Sequence, residues 1–206
     1  MKAKVTRFKN LRLALKELEP FVRDGGHLKT GKPFKRFDGL RSRELLANWL
    51  LCVVVNSIHE TERFTFTSDP FGGDGIIYDN LTGETSPTEH VLVPSVPGAE
   101  PAAVEALILK AIGKKHSKGG TAYASGKTLV VFLNAGGGEW YPNKVARQLP
   151  APFHFDAVWV VGLQRVEGTG EYVYAVTRLD LKRGNAPAWR VCIARDFDTW
   201  KIAPIQ

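Results

Sequence analysis

The chain has 206 residues, 44% of them hydrophobic and 24% charged, with a formal charge of +7. This size suits one domain built on one sizeable core, and the composition excludes a disordered, low-hydrophobicity chain. There is no basic leader followed by an apolar run, no apolar stretch of about 18 residues, and only Cys52 and Cys192; the expectation is a cytoplasmic protein without membrane contact, disulfide framework or cysteine zinc site.

In chain order, Leu11, Leu15, Leu18 and Val22 recur at helical spacing, which predicts an amphipathic helix over residues 8–19 that Pro20 ends or kinks and Gly25-Gly26 closes. Residues 1–43 carry thirteen Lys and Arg against four Asp and Glu, a net of +9, and the rest of the chain is at −2. Such a basic arm is the usual footprint of phosphate-backbone binding, and equally of a solvated surface. Within the loop over residues 24–38, Lys29, Lys32, Lys35 and Arg36 are interleaved with Phe34 and Phe37. They are the candidate nucleic-acid contacts, unless the phenylalanines simply anchor a connector on the core.

Residues 40–59 read as a long, largely buried helix. Strand signals follow at 64–67, 75–79 and 88–93, separated by Pro70, Gly72-Gly73 and the turn-prone stretch 80–87, which suggests an antiparallel meander. Helical spacing returns over 99–115, then a buried β-run at 128–134, a short helix at 142–148 and a second apolar run at 157–162, a passage that asks for parallel strands under helices. Strands at 172–178 and 188–193 complete the expected order α-α-β-β-β-α-β-α-β-β-β. The fold class is therefore α/β with a mixed sheet, in one domain: a basic N-terminal part over 1–39, a core over 40–163, and C-terminal strands over 164–206.

Several attractive matches fail. Gly126-Lys127-Thr128 lacks the upstream glycine of a P-loop and precedes a strand instead of following one. Ala135–Gly138 follows a strand and offers backbone N–H groups to an anion, but without a dinucleotide fingerprint it also reads as a plain turn. The five histidines show no His-x-x-x-His spacing, and no Gly-x-Ser-x-Gly elbow is present.

What remains is Asp74 at the start of the second strand signal and Glu89 on the next strand, fifteen residues on. With a preceding helix that carries Glu44, this arrangement resembles the PD-(D/E)XK restriction-endonuclease-like superfamily over residues 40–163. The resemblance implies a three-strand meander plus a parallel strand flanked by helices. It also implies Mg²⁺ or Mn²⁺ held by Asp74 and Glu89, with Glu44 as the third acid, and cleavage of phosphodiester bonds. Hard divalent ions prefer carboxylate oxygens, which is why such chemistry needs paired acids. Asp69 and Asp79 are the fallback acids.

The chain departs from the motif at its lysine. Glu89, Val91 and Val93 share one strand face, so Val91 stands where the lysine belongs, and His90 points to the other face. A lysine supplied from elsewhere would be Lys110 or Lys114 on the following helix, or Lys127 before the next strand. The alternative is an inactive nuclease-fold module that binds nucleic acid, a protein partner or a second copy of itself. In the bland reading the acids cap turns and sit on a solvated edge.

Overall fold

A computed structural model of the chain describes residues 9–30, 32–96, 98–134 and 139–206. Ala135–Gly138, the candidate anion loop, lies outside the described residues, as does the start of the basic N-terminal part, Met1 to Phe8.

Eight strands form one mixed sheet whose spatial order is the chain order: β1 (Phe64–Thr67), β2 (Ile76–Asp79), β3 (Thr85–Val93), β4 (Thr128–Leu133), β5 (Ala157–Val166), β6 (Tyr172–Leu179), β7 (Ala188–Ile193) and β8 (Trp200–Pro204). The first three form an antiparallel meander, β3–β4 and β4–β5 are parallel, and the rest are antiparallel. The change of sense follows from the connections. Short turns close the hairpins, whereas α4 (Pro101–His116) and α6 (Pro142–Arg147) lie in the two parallel crossovers.

Alternation along the parallel strands divides the core between two faces. Val130, Phe132, Trp159 and Val161 pack with α1 (Leu11–Arg23) and α3 (Ser42–Ile58). Leu129, Val131, Val158 and Val160 pack with α4, α6 and α5 (Gly120–Ala124). The short α2 (Gly26–Lys29) and a 3₁₀ turn at Lys35–Phe37 complete the elements. Among the described residues no helix is long and apolar enough to cross a membrane.

Most of α3 is buried, including Leu45, Leu46, Trp49, Leu50 and Leu51, each burial worth roughly 1.5–3 kcal/mol. Its buried polar side chains fix it on the sheet. Asn56 exchanges hydrogen bonds with the Phe64 backbone, donating to the carbonyl at 2.9 Å and accepting from the N–H at 2.8 Å. Trp49 Nε1 donates to the Leu11 carbonyl at 2.8 Å and ties in the start of α1.

Two expectations need correction. Helix α1 does not stop at Pro20 but runs on to Arg23, because the buried row Ala14, Leu15, Leu18 and Val22 continues through the proline. The C-terminal strand β8 had no apolar run to announce it; it forms as an edge strand by pairing with β7.

Candidate functional site

The fork between β2 and β3 builds the site. The lower half of β3 pairs with β2 through Thr85, Ser86 and Pro87; from Thr88 onward β3 pairs with β4 instead. Gly75 carries the chain into β2 with φ of +135°, and a Cβ there would lie 2.3 Å from Asn48 Nδ2 and 3.2 Å from Thr88 Oγ1. Only glycine fits this turn beneath α3. The Thr88 N–H donates to the Gly75 carbonyl at 2.8 Å, and one step along, the His90 N–H donates to Asp74 Oδ2 at 2.7 Å. A carboxylate thus stands where a strand carbonyl would have continued the ladder. Asp74 therefore lies before β2 and not within it, and its bond to the residue after Glu89 brings the two acids to one corner.

Asn48 and His90 brace this turn. Asn48 Nδ2 donates to the Asp74 carbonyl at 3.2 Å, so its Oδ1 accepts from His90 Nε2 at 3.1 Å. That assigns the Nε2–H tautomer, with Thr88 Oγ1 3.3 Å away, and leaves Nδ1 buried with no hydrogen-bond partner among the described residues. Burial, with the charges of Lys115, Arg43 and Arg41, pushes His90 down to about 3, so the ring is neutral. Through Asn48 its ring braces the Asp74 turn.

On the α4 face, Glu89 forms an ion pair with Lys115, both largely buried. Burial alone would raise the Glu89 pKa; the Lys115 ammonium, the Tyr123 hydroxyl and the charge of Lys127 reverse this and hold it below its ordinary value. The Tyr123 hydroxyl is buried and turned toward Glu89, although among the described residues no partner meets hydrogen-bond geometry; its pKa is raised, by burial first and then by that carboxylate. Asp74 moves the other way. Burial and the charge of Glu89 raise it, against the His90 N–H, Lys115 and Arg41.

Glu44 occupies the first turn of α3, 3% exposed, where it accepts from the Arg41 N–H at 2.9 Å and pairs with the Arg41 guanidinium. This is the reciprocal half of a capping box. Burial raises the Glu44 pKa, with a contribution from Asp74. Arg41 Nη1 also stands 3.9 Å from Asp74 Oδ1, so Glu44, Asp74 and Glu89 form one electrostatically linked set. Among the described residues no group of three or more His, Cys, Asp or Glu side chains is gathered as a metal-binding set.

The lysine nominations need revision. Lys110 and Lys114 are exposed, and the ammonium at Glu89 belongs to Lys115. The signal was present in the sequence. Lys115 extends the buried row Val104, Ile108, Ile112 by three residues and so faces the sheet. Lys127 is half-buried, with its ammonium 4.4 Å over the Tyr123 ring, and contributes to Glu89 from a distance. The fallback acids are structural. Asp69 accepts from the Phe71 N–H at 2.9 Å in its own turn, and Asp79 is clasped by Arg63 and the turn that follows it.

The basic loop divides its work. Phe34 and Phe37 pack edge-on against Phe21, with centroids 5.1 and 5.2 Å apart, and anchor the loop. Lys29, Lys32 and Lys35 are exposed beside them, and the Arg36 side chain lies outside the described residues. Arg43 bonds the Thr30 carbonyl, which stitches this loop to the first turn of α3 and so to the acid corner.

Compared with protein-family models, with curated proteins and with solved structures, the chain matches none.

Proposed function

We propose that the chain is a metal-dependent nuclease of the PD-(D/E)XK kind, with the fork between β2 and β3 as its active corner. The observation that carries this reading is the Lys115–Glu89 pair beside Asp74. The ammonium that Val91 cannot supply reaches the motif acid from α4. The order helix, three-strand meander, helix, parallel strand supports the same reading.

Asp74 and Glu89 fit a divalent cation. Asp74 is a half-buried carboxylate whose proton affinity is raised by burial and by the neighbouring charge of Glu89, a state that a bound cation relieves. Bound there, Mg²⁺ or Mn²⁺ would lower the pKa of a water and offset charge on the scissile phosphate. Lys115 holds a positive charge beside Glu89, where it stabilises negative charge developing on phosphate oxygens. His90 and Asn48 keep Asp74 in place. Lys29, Lys32 and Lys35 hold the flanking backbone.

A second reading, a nucleic-acid-binding module without cleavage, is favoured by Arg41, which lies between Glu44 and Asp74 and neutralises part of the acid set. Incubating the purified protein with labelled single- and double-stranded DNA and RNA in Mg²⁺, Mn²⁺ or EDTA separates the two. The nuclease reading expects cleavage that EDTA stops; binding with no cleavage of any substrate leaves the module.

A further inference from the structure

Outward from Glu89, the α4 side of the sheet continues as a chain of rings. Tyr123 meets Phe155 edge-on at 6.1 Å, Phe155 meets Phe153 at 5.9 Å, and His116 lies nearly parallel to both Phe153 and His154. The two stacked spacings are 5.1 and 4.8 Å, with interplanar angles of 12° and 7°. Phe155 is core, whereas Phe153, His154 and His116 are only half-buried, so the ladder ends at the surface. The imidazoles are held in register: His116 Nε2 lies 3.2 Å from the Pro152 carbonyl, and His154 Nδ1 3.2 Å from Thr121 Oγ1.

Cations flank the Tyr123 ring: the Lys118 and Lys127 ammoniums stand 4.8 and 4.4 Å over it, and Lys114, four residues before Lys118, is exposed as Lys118 is. Core packing asks for apolar side chains and has no need of parallel imidazoles at the surface. A row of cations beside preorganised rings matches a chain that offers phosphates and uncovered base faces together. A duplex offers the phosphates but keeps its base faces stacked inside.

Given the phosphodiester reading of the adjoining corner, on which this rests, we infer that the α4 strip binds single-stranded nucleic acid. Its phosphates would run along Lys114 and Lys118, and a base would stack on the outer face of His154, at the end of the His154–His116–Phe153 ladder. The strip leads toward Glu89 through Tyr123, which meets Phe155 on one side and lies close to that carboxylate on the other.

The test is fluorescence anisotropy in EDTA with labelled thymidine and uridine oligomers of about fifteen nucleotides and a blunt duplex of the same length. The expected result is that a single strand binds roughly tenfold or more tightly than the duplex, and the tighter of the two oligomers identifies the sugar. His154→Ala should weaken strand binding by about five- to a hundredfold, the range of one lost stack. His154→Phe, which keeps a ring and drops the contact to Thr121, should retain the affinity. Lys118→Glu, a change at an exposed position that leaves the core alone, should also weaken it. Duplex binding as tight as strand binding overturns the inference, and so does unchanged strand affinity in His154→Ala or Lys118→Glu. Cleavage is not the readout. A protein that cuts duplex and ignores the ring variants loses this inference alone, and one that binds strands through the rings but never cuts loses the nuclease reading alone.

Discussion

The two ends of β2 carry the same residue type in opposite electrostatic states. Asp79, at the far end, accepts from the Leu81 and Thr82 N–H groups at 2.9 and 3.3 Å and from Thr82 Oγ1 at 2.7 Å, and pairs with the fork of Arg63. Those donors, Arg63 first, hold it well below the ordinary carboxylate range. Asp74, at the near end, has one backbone N–H, a distant guanidinium and a neighbouring acid, and burial leaves it raised. A saturated carboxylate stabilises the fold, whereas an under-satisfied one is kept at a cost to the fold and is the better candidate for a task.

The largest effect that would sharpen this contrast is catalytic. In single-turnover cleavage with Mg²⁺, Lys115→Met and Glu89→Gln should each lose about a hundredfold or more, the scale of removing a charge-stabilising contact at a reacting group. Lys110→Ala should stay near the wild-type rate, since Lys110 is exposed and does not pair with Glu89. If Lys110 is indispensable while Lys115→Met remains active, the assignment of the lysine is wrong.

The second effect is on stability, and its sign differs between the two ends. Asp79 has a depressed pKa, so its stabilisation is present above the usual aspartate range and is lost as pH falls through the depressed value. Asp79→Asn should lower Tm by several degrees at neutral pH and flatten the acid limb of the stability curve. Asp74 has a raised pKa, so its favourable contribution is present below the usual range and is lost as pH rises through the raised value. Asp74→Asn keeps an acceptor for the His90 N–H and should hold or raise Tm at neutral pH. Equal losses in thermal scans of the two variants would erase the distinction.

The smallest effect concerns the basic loop, which adjoins the Asp74 corner through Arg43. Replacing Lys32, Lys35 and Arg36 together should flatten the salt dependence of nucleic-acid binding by about two to three units on duplex DNA. An unchanged slope in binding isotherms moves the backbone contacts elsewhere.

The sequence carried the elements better than their junctions. Strands at Phe64–Thr67 and Ala188–Ile193 match the β-branched and aromatic runs that announced them, and the mixed sheet with parallel β3, β4 and β5 follows from the α4 and α6 crossovers. The placement of Asp74 beside a turn, of Glu89 on a strand and of Glu44 on a helix was legible from the turn, strand and helical signals around them. Lys115 is less conspicuous than Lys110 and Lys114, which form an i,i+4 pair on the exposed side of α4; only its place three residues beyond Ile112 in the buried row turns it toward the sheet. Asn48 and Arg41 were not legible at all. Their roles depend on α3 lying across the Gly75 turn, a contact made between residues more than twenty positions apart.

The central claim is that Asp74 and Glu89 together hold a divalent ion beside Lys115. Titrating Mn²⁺ into the protein while following the free-ion signal by electron paramagnetic resonance tests it most directly. The account predicts a site that saturates in the wild type, is lost in Asp74→Asn and Glu89→Gln, and persists in Asp79→Asn. A wild type that takes up no Mn²⁺, or uptake that survives both substitutions, contradicts it.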